Sequence, residues 1–112
     1  MEANVLRMFV RGFIEFLILW ITSQGPMHGY LIMKKLEEYT NISYSPGTVY
    51  PILYKLESLN LLRGEWRSTG VRRVKVYTIT DDGVELLNKL RSMLTLLIPE
   101  AEVCESRVMI PR

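Results

Sequence analysis

The sequence predicts a mainly α fold with a small β-hairpin: a winged helix-turn-helix with N- and C-terminal dimerisation helices. Three observations lead there. Apolar residues recur at helical spacing as far as Leu59, between breaks at Gly25-Pro26 and Asn41 to Gly47. The period then changes in "LLRGEWRSTGVRRVKVYTIT", where β-branched and aromatic residues alternate with charged ones around Ser68-Thr69-Gly70. A last helical stretch opens at Thr80-Asp81-Asp82 and is stopped by Pro99.

A chain of 112 residues is one domain. Residues 1–80 are expected to form the winged helix-turn-helix with its N-terminal helix, and residues 81–112 a C-terminal dimerisation helix and tail belonging to the same structural unit. The formal net charge is only +2, but its distribution is uneven. From Gly25 to Thr80 there are eight Lys/Arg against four Asp/Glu, whereas residues 81–112 hold four against six. The basic middle suits a polyanion. One cysteine, Cys104, rules out an internal disulfide, and one histidine, His28, leaves no zinc-type ligand cluster. No metal or cofactor is expected, and a reducing cytoplasm is the simplest compartment.

The first helix is expected to begin before Gly12 and to end near Ser23. Its apolar run Phe13 to Ile21, "FIEFLILWI", is interrupted by Glu15 and falls short of the ~20 residues of a membrane span. No small-residue cleavage site follows it, so neither a membrane nor a signal-peptide role is expected. A helix apolar all round must be covered on more than one side, and a second copy of the chain is the natural cover. The second helix is expected over about Met27 to Tyr39, with Ile32, Met33 and Leu36 inward and Lys34, Lys35, Glu37 and Glu38 largely outward.

The third helix reads as beginning near Val49, with Thr48 as its cap and Pro51 in its first turn, where a missing N–H costs nothing. Val49, Ile52, Leu53, Leu56 and Leu59 then share the inward face, and Gly47, Pro51, Tyr54 and Ser58 the outward one. Asn60 is suited to the left-handed conformation that ends a helix. Such a helix start offers N–H groups and a positive dipole to phosphate. Small groups at Gly47 and Thr48 would let bases approach, and Thr48 or Pro51 would meet thymine methyls. The hairpin, about Leu62 to Arg67 and Arg72 to Ile79, follows as a wing, with Arg67, Arg72, Arg73 and Lys75 around its turn. Thr80 then caps the last helix, which is expected to reach about Ile98.

"GPMHGYLIMKKL", "SPGTVYPILYKLESLNLL" and the basic hairpin ending "VYTITDDGVELL" together resemble the PadR family of winged-helix transcriptional regulators, over roughly Gly12 to Leu87. The short C-terminal helix resembles that family's short branch. The resemblance implies a homodimeric repressor whose Gly47 to Pro51 segment enters the major groove, with the hairpin as wing. It also implies packing between the N- and C-terminal helices of two chains. Some members release DNA on binding a small aromatic or drug-like molecule.

The expected DNA-reading residues are Ser45, Gly47, Thr48, Pro51 and Tyr54. Tyr50 lies on their flank, where packing against the wing is the other reading. Tyr30, Lys55, Arg67, Arg72, Arg73 and Lys75 are expected to anchor phosphates, with half-buried packing the other reading for Tyr30 and an exposed, solvated surface for Tyr54 and Lys55. His28 reads as a polar turn residue. The expected dimer interface comprises Phe9, Phe13, Phe16, Leu17 and Trp20 of the first helix and Leu87, Leu90, Leu94 and Leu97 of the last, whose apolar stripe is too wide for one face. Two-fold related recognition helices would meet half-sites about 34 Å apart on a near-palindromic double-stranded operator. Trp20 offers a stacking surface for a small aromatic effector, against the plainer reading of a core tryptophan.

A winged helix that binds protein instead of DNA is the alternative, since a fold does not fix a function. An enzyme is not expected. His28 and Cys104 stand far apart in sequence, and the acid pairs Glu37-Glu38 and Asp81-Asp82 suit a helix surface and a helix start. The stretch Glu100 to Arg112 is open between a loose helix, a partner-clasping arm and disorder.

Overall fold

The computed structural model describes residues 2–97. Ile98, Pro99, and the stretch from Glu100 to Arg112 with Cys104 lie outside them. The described chain runs α1 (Glu2–Thr22), β1 (Met27–His28), α2 (Gly29–Thr40), α3 (Pro46–Ser58), β2 (Leu62–Thr69), β3 (Arg72–Ile79) and α4 (Asp81–Leu97).

In α1, Ile14, Ile18 and Ile21 follow helical spacing and are buried together with Leu19. Thr22 is buried with them, and its hydroxyl is satisfied by donating to the carbonyls of Ile18 (2.8 Å) and Leu19 (3.1 Å). The first half of the helix behaves differently, because every residue from Glu2 to Phe13 is exposed. This projecting half stretches the chain to a radius of gyration of 16.2 Å, where a compact chain of this length would have about 13 Å.

The sequence places the start of α2 at Met27, but the helix starts at Gly29. Met27 and His28 instead pair with Tyr77 and Val76 of β3, so the hairpin becomes a three-stranded antiparallel sheet of order β1-β3-β2. A two-residue strand has no readable period, which is why it is invisible in the sequence. His28 does more than turn the chain: it is the N-cap, its Nδ1 accepting from the Leu31 N–H at 3.2 Å. At the other end Asn41 adopts the left-handed conformation (φ 62°), and its N–H reaches the Glu37 carbonyl at 2.8 Å.

The start of α3 also differs from the expectation. Ser45 is the N-cap and Pro46 the first helical residue, so Thr48 lies inside the helix and Pro51 lies beyond the first turn. Proline at position one is the favoured helix opening, and it outcompetes a start at Val49. The N–H that Pro51 lacks would have gone to the Gly47 carbonyl. Both residues are exposed, so water is at hand for that carbonyl.

Val49, Ile52, Leu53 and Leu56 are buried as expected, but Leu59 is 55% exposed. The helix has already ended there. Asn60 turns left-handed (φ 63°), its N–H bonding to the Glu57 carbonyl and that of Leu61 to the Leu56 carbonyl. This paired Schellman closure rotates Leu59 away from the core.

Strands β2 and β3 pair from Leu62 with Ile79 to Thr69 with Arg72. The first strand thus runs two residues further than expected, and Gly70-Val71 make the turn. Gly70 has φ +66° while Val71 does not turn left-handed, the pattern of a two-residue hairpin with glycine first.

Thr80 caps α4 as expected. Its hydroxyl accepts from the Gly83 N–H at 3.0 Å and donates to the Asn60 carbonyl at 2.6 Å, tying α4 to the end of α3. The core gathers Ile14, Ile18, Leu19 and Ile21 from α1, Ile32 and Leu36 from α2, the four residues of α3, and Leu62, Tyr77 and Leu87. No helix among the described residues is long and apolar enough to cross a membrane.

Candidate nucleic-acid interface

With its apolar face spent on the core, α3 presents Gly47, Pro51, Tyr54 and Ser58 to solvent. Ser45 is exposed and makes no capping bond with its side chain; its hydroxyl lies 3.3 Å from that of half-buried Thr48. Pro46 has no N–H, and those of Thr48 and Val49 donate to the Ser45 carbonyl at 3.0 and 3.1 Å, so the Gly47 N–H is the first-turn donor left open at the positive end of the helix dipole.

Tyr50 is half-buried and leans over the first residue of α2: a Cβ on Gly29 would stand 2.6 Å from its Cε1. Glycine at 29 is what lets α3 come so close to α2. The Tyr50 and Tyr54 ring centroids are 6.5 Å apart. Tyr30 is 59% exposed, stacked on His28 with ring centroids 6.5 Å apart, and has Lys34 Nζ 5.6 Å from its centroid. Tyr30, Tyr50 and Tyr54 thus line one side of a cleft of about 270 Å³ whose other wall is the wing, with Trp66, Arg72, Arg73 and Lys75.

The sequence treats the wing cations as one cluster, but register divides them. Directly paired residues share a face of the sheet, so Trp66 with Lys75 and Ser68 with Arg73 face one way, while Arg67 with Val74 and Thr69 with Arg72 face the other. Arg73 lies over the Trp66 ring, 5.0 Å from its centroid. Arg67 is loosely paired with Glu65 at 3.8 Å, both half-exposed, a geometry that holds neither strongly. Arg72 is exposed.

Two lysines expected at phosphates are engaged elsewhere. Lys55 Nζ contacts Glu15 Oε2 of α1 at 2.9 Å, with about half of its side chain still exposed. Lys75 is turned inward and bonds Glu57 Oε1 of α3 at 2.9 Å, with only 19% of its side chain exposed.

Sequence reasoning missed Glu15 and Glu57 as partners, and also Tyr77. The latter is 1% exposed on the wing face that looks toward α3. Burial pushes its phenol well above the ordinary tyrosine range, with further upward pushes from Tyr54, Glu57 and Tyr50. One signal was available: Gly64, inside a strand pattern, marks a close approach. A Cβ there would collide with the Lys75 stem, and would also stand 3.0 Å from Glu57 Oε2.

On the expected dimer face, Phe9, Phe13, Leu94 and Leu97 are exposed, and Phe16, Leu17 and Leu90 are half-buried. Leu87 is a correction, since at 3% exposure it is already spent inside its own chain's core. Trp20 is half-buried and meets Tyr39 edge to face, with centroids 5.2 Å apart. Among the described residues, no group of three or more His, Cys, Asp or Glu side chains could hold a metal ion.

Residues 18–89 match the family model described as "Transcriptional regulator PadR-like family". The transcriptional regulator Rv3488 of Mycobacterium tuberculosis is 33% identical over 95 residues, covering 85% of this chain and 88% of that protein. The transcriptional regulator YqjI of Escherichia coli is 29% identical over 93 residues, but the match spans only 44% of its length against 81% of this chain. Among solved structures, a PadR-like transcription factor of Bacteroides fragilis superposes with a TM-score of 0.78 at 28% identity, covering 90% of this chain and 98% of that one. A PadR-like transcriptional regulator of Bacillus cereus gives 0.75 at 26% identity, covering 87% and 95%. The chain belongs to the PadR-like family of transcriptional regulators.

Proposed function

We propose that the chain is a homodimeric repressor that binds a near-palindromic DNA operator through α3 and the β2–β3 wing. The observation that carries this reading is the pairing of a polar, small-residue outward face on α3 (Gly47, Pro51, Tyr54) with arginines on both faces of the adjoining hairpin. In this reading Ser45, Gly47, Thr48, Pro51 and Tyr54 meet base edges in the major groove. Arg67, Arg72 and Arg73, with Tyr30 and the half-exposed Lys55, hold phosphates and supply most of the salt-dependent affinity. Tyr50 sets the distance between α2 and α3.

The dimer reading is supported by apolar surface left uncovered by the chain itself. Val5, Leu6, Phe9 and Phe13 project from α1, and Leu94 and Leu97 from α4, each at least 40% exposed. Release by a small aromatic ligand is the last part of the proposal, with Trp20 beside Tyr39 as the stacking surface. Unchanged Trp20 fluorescence across a panel of aromatic ligands, read in a Trp66→Phe background, would remove it.

Fluorescence anisotropy with the duplex lying upstream of the protein's own gene, beside a scrambled duplex and at two salt concentrations, tests the proposal. It expects preference for the upstream duplex, two chains per half-site pair, and affinity that falls steeply with salt. Absence of binding to either duplex at low salt would favour a winged helix that recognises protein.

A further inference from the structure

Lys75 looks like a fourth wing cation in the sequence, yet its surroundings differ from those of every wing arginine. Its ammonium bonds Glu57 of the recognition helix at 2.9 Å. It also lies 5.2 Å from the ring centroid of Tyr54, 5.7 Å from that of Trp66 and 5.5 Å from that of Tyr77. One carboxylate and three aromatic faces thus surround a charge that is mostly withdrawn from solvent. The stem has room because position 64, across the strand pair, is glycine: a Cβ there would collide with the Lys75 stem and stand tightly, at 3.0 Å, against Glu57 Oε2.

This box spans α3 and both strands of the wing. Glu57 and Tyr54 belong to α3, Trp66 to β2, and Lys75 and Tyr77 to β3. Trp66 in turn carries the Arg73 guanidinium. We propose that Lys75 is a positioning residue: it does not hold a phosphate but pins the wing to the recognition helix, fixing Tyr54 on one side and, through Trp66, Arg73 on the other. The pin rests on the DNA-binding reading for its consequence, though not for its existence.

The two roles predict opposite signs for Glu57→Gln. If Lys75 is a phosphate ligand restrained by Glu57, neutralising the acid frees it and removes a repulsive charge, so DNA binding tightens. A pin that loses its carboxylate loosens the wing, so binding weakens.

The experiment measures binding of the full chain to a mixed-sequence 30-bp duplex across a salt series. It compares the wild type with Glu57→Gln, Lys75→Gln and, as the phosphate-contact reference, Arg72→Ala. Thermal melting confirms that each variant is folded, and amide hydrogen exchange is followed at Val74 and Val76. We expect Glu57→Gln to weaken binding by about threefold or more, and Lys75→Gln to leave the log-affinity against log-salt slope at its wild-type value, where each lost phosphate contact removes about 0.9. We also expect wing amides to exchange about threefold faster or more in both variants while α1 amides do not change.

Tighter binding by Glu57→Gln, or a slope reduced in Lys75→Gln as in Arg72→Ala, overturns the pin. A wild type without affinity for the duplex at low salt overturns the DNA reading alone. The exchange rates then decide the pin by themselves, and unchanged wing rates overturn it.

Discussion

Tyr50 of α3 packs against Gly29 of α2 so closely that the space for a side chain at 29 is already filled by the tyrosine ring, with Cε1, Oη and Cζ all within 3.0 Å of a built Cβ. The contact makes the sign of a substitution depend on its partner. Gly29→Ala gains at most about 1 kcal/mol of helix propensity, the helix-interior value, at this first helical position but overpacks the site at a cost of about 1–3 kcal/mol. We expect a net loss of stability in the wild-type background. In a Tyr50→Ala background the same change should become stabilising. Urea unfolding of the four proteins of this cycle checks it, and simple additivity would mean that the ring moves aside freely.

Gly83 poses the converse case, because its neighbour is backbone. A Cβ at this buried first-turn position of α4 would collide with the Leu61 carbonyl oxygen, which is already held by the Thr80 N–H at 3.1 Å. Helix propensity alone favours alanine at 83. The structure reverses that: Gly83→Ala should cost about 2–3 kcal/mol, measured by chemical unfolding.

The projecting half of α1 predicts how the proposed dimer responds to substitution. Phe9 is 71% exposed in the single chain, so Phe9→Glu should change the intrinsic stability of a monomer by no more than about 0.5 kcal/mol. Sedimentation should nonetheless move from the dimer to the monomer mass. It should also abolish the dependence of melting temperature on protein concentration.

Tyr77 predicts an alkaline limit. Its phenol is pushed above the ordinary tyrosine range in the folded chain, whereas the unfolded chain ionises near pH 10. The folded pKa is the raised one, so the Tyr77 contribution to stability is complete below about pH 10 and is lost as pH rises beyond it. The loss should proceed at up to about 1.4 kcal/mol per pH unit. Tyr77→Phe should remove that component, so the two stability curves run parallel up to about pH 9 and then converge or cross. Curves parallel to pH 11 would contradict the assignment.

Much of the fold was legible because it rests on period and punctuation. The apolar faces of α2 and α3, the switch to alternation at Leu62, the left-handed Asn60 and the Thr80 cap are local features, whereas α1 read as apolar all round and its buried face emerged only from the fold. What escaped reading depends on partners distant in sequence. β1 exists only because β3 lies beside it. The start of α3 shifted because Pro46 at the first helical position competes successfully with a later beginning. Leu59, expected in the core, is turned out by the helix end, and Leu87, expected at the dimer face, is drawn into the core. Of the candidate interface, the outward face of α3 was readable from spacing alone. The wing charges were countable, but their division between two faces required the register. Lys55 and Lys75 could be read only as free cations, since Glu15 and Glu57 come near them through folding.

The central claim is that α3 and the wing arginines form a DNA surface, and the most direct measurement replaces those arginines together. Anisotropy titrations at low salt should compare the wild type with Arg67→Ala/Arg72→Ala/Arg73→Ala on the upstream and the scrambled duplex. The account predicts binding by the wild type and a loss of about a hundredfold or more for the variant on both duplexes, since phosphate contacts carry affinity without reading sequence. A folded triple variant that binds both duplexes as tightly as the wild type would contradict it.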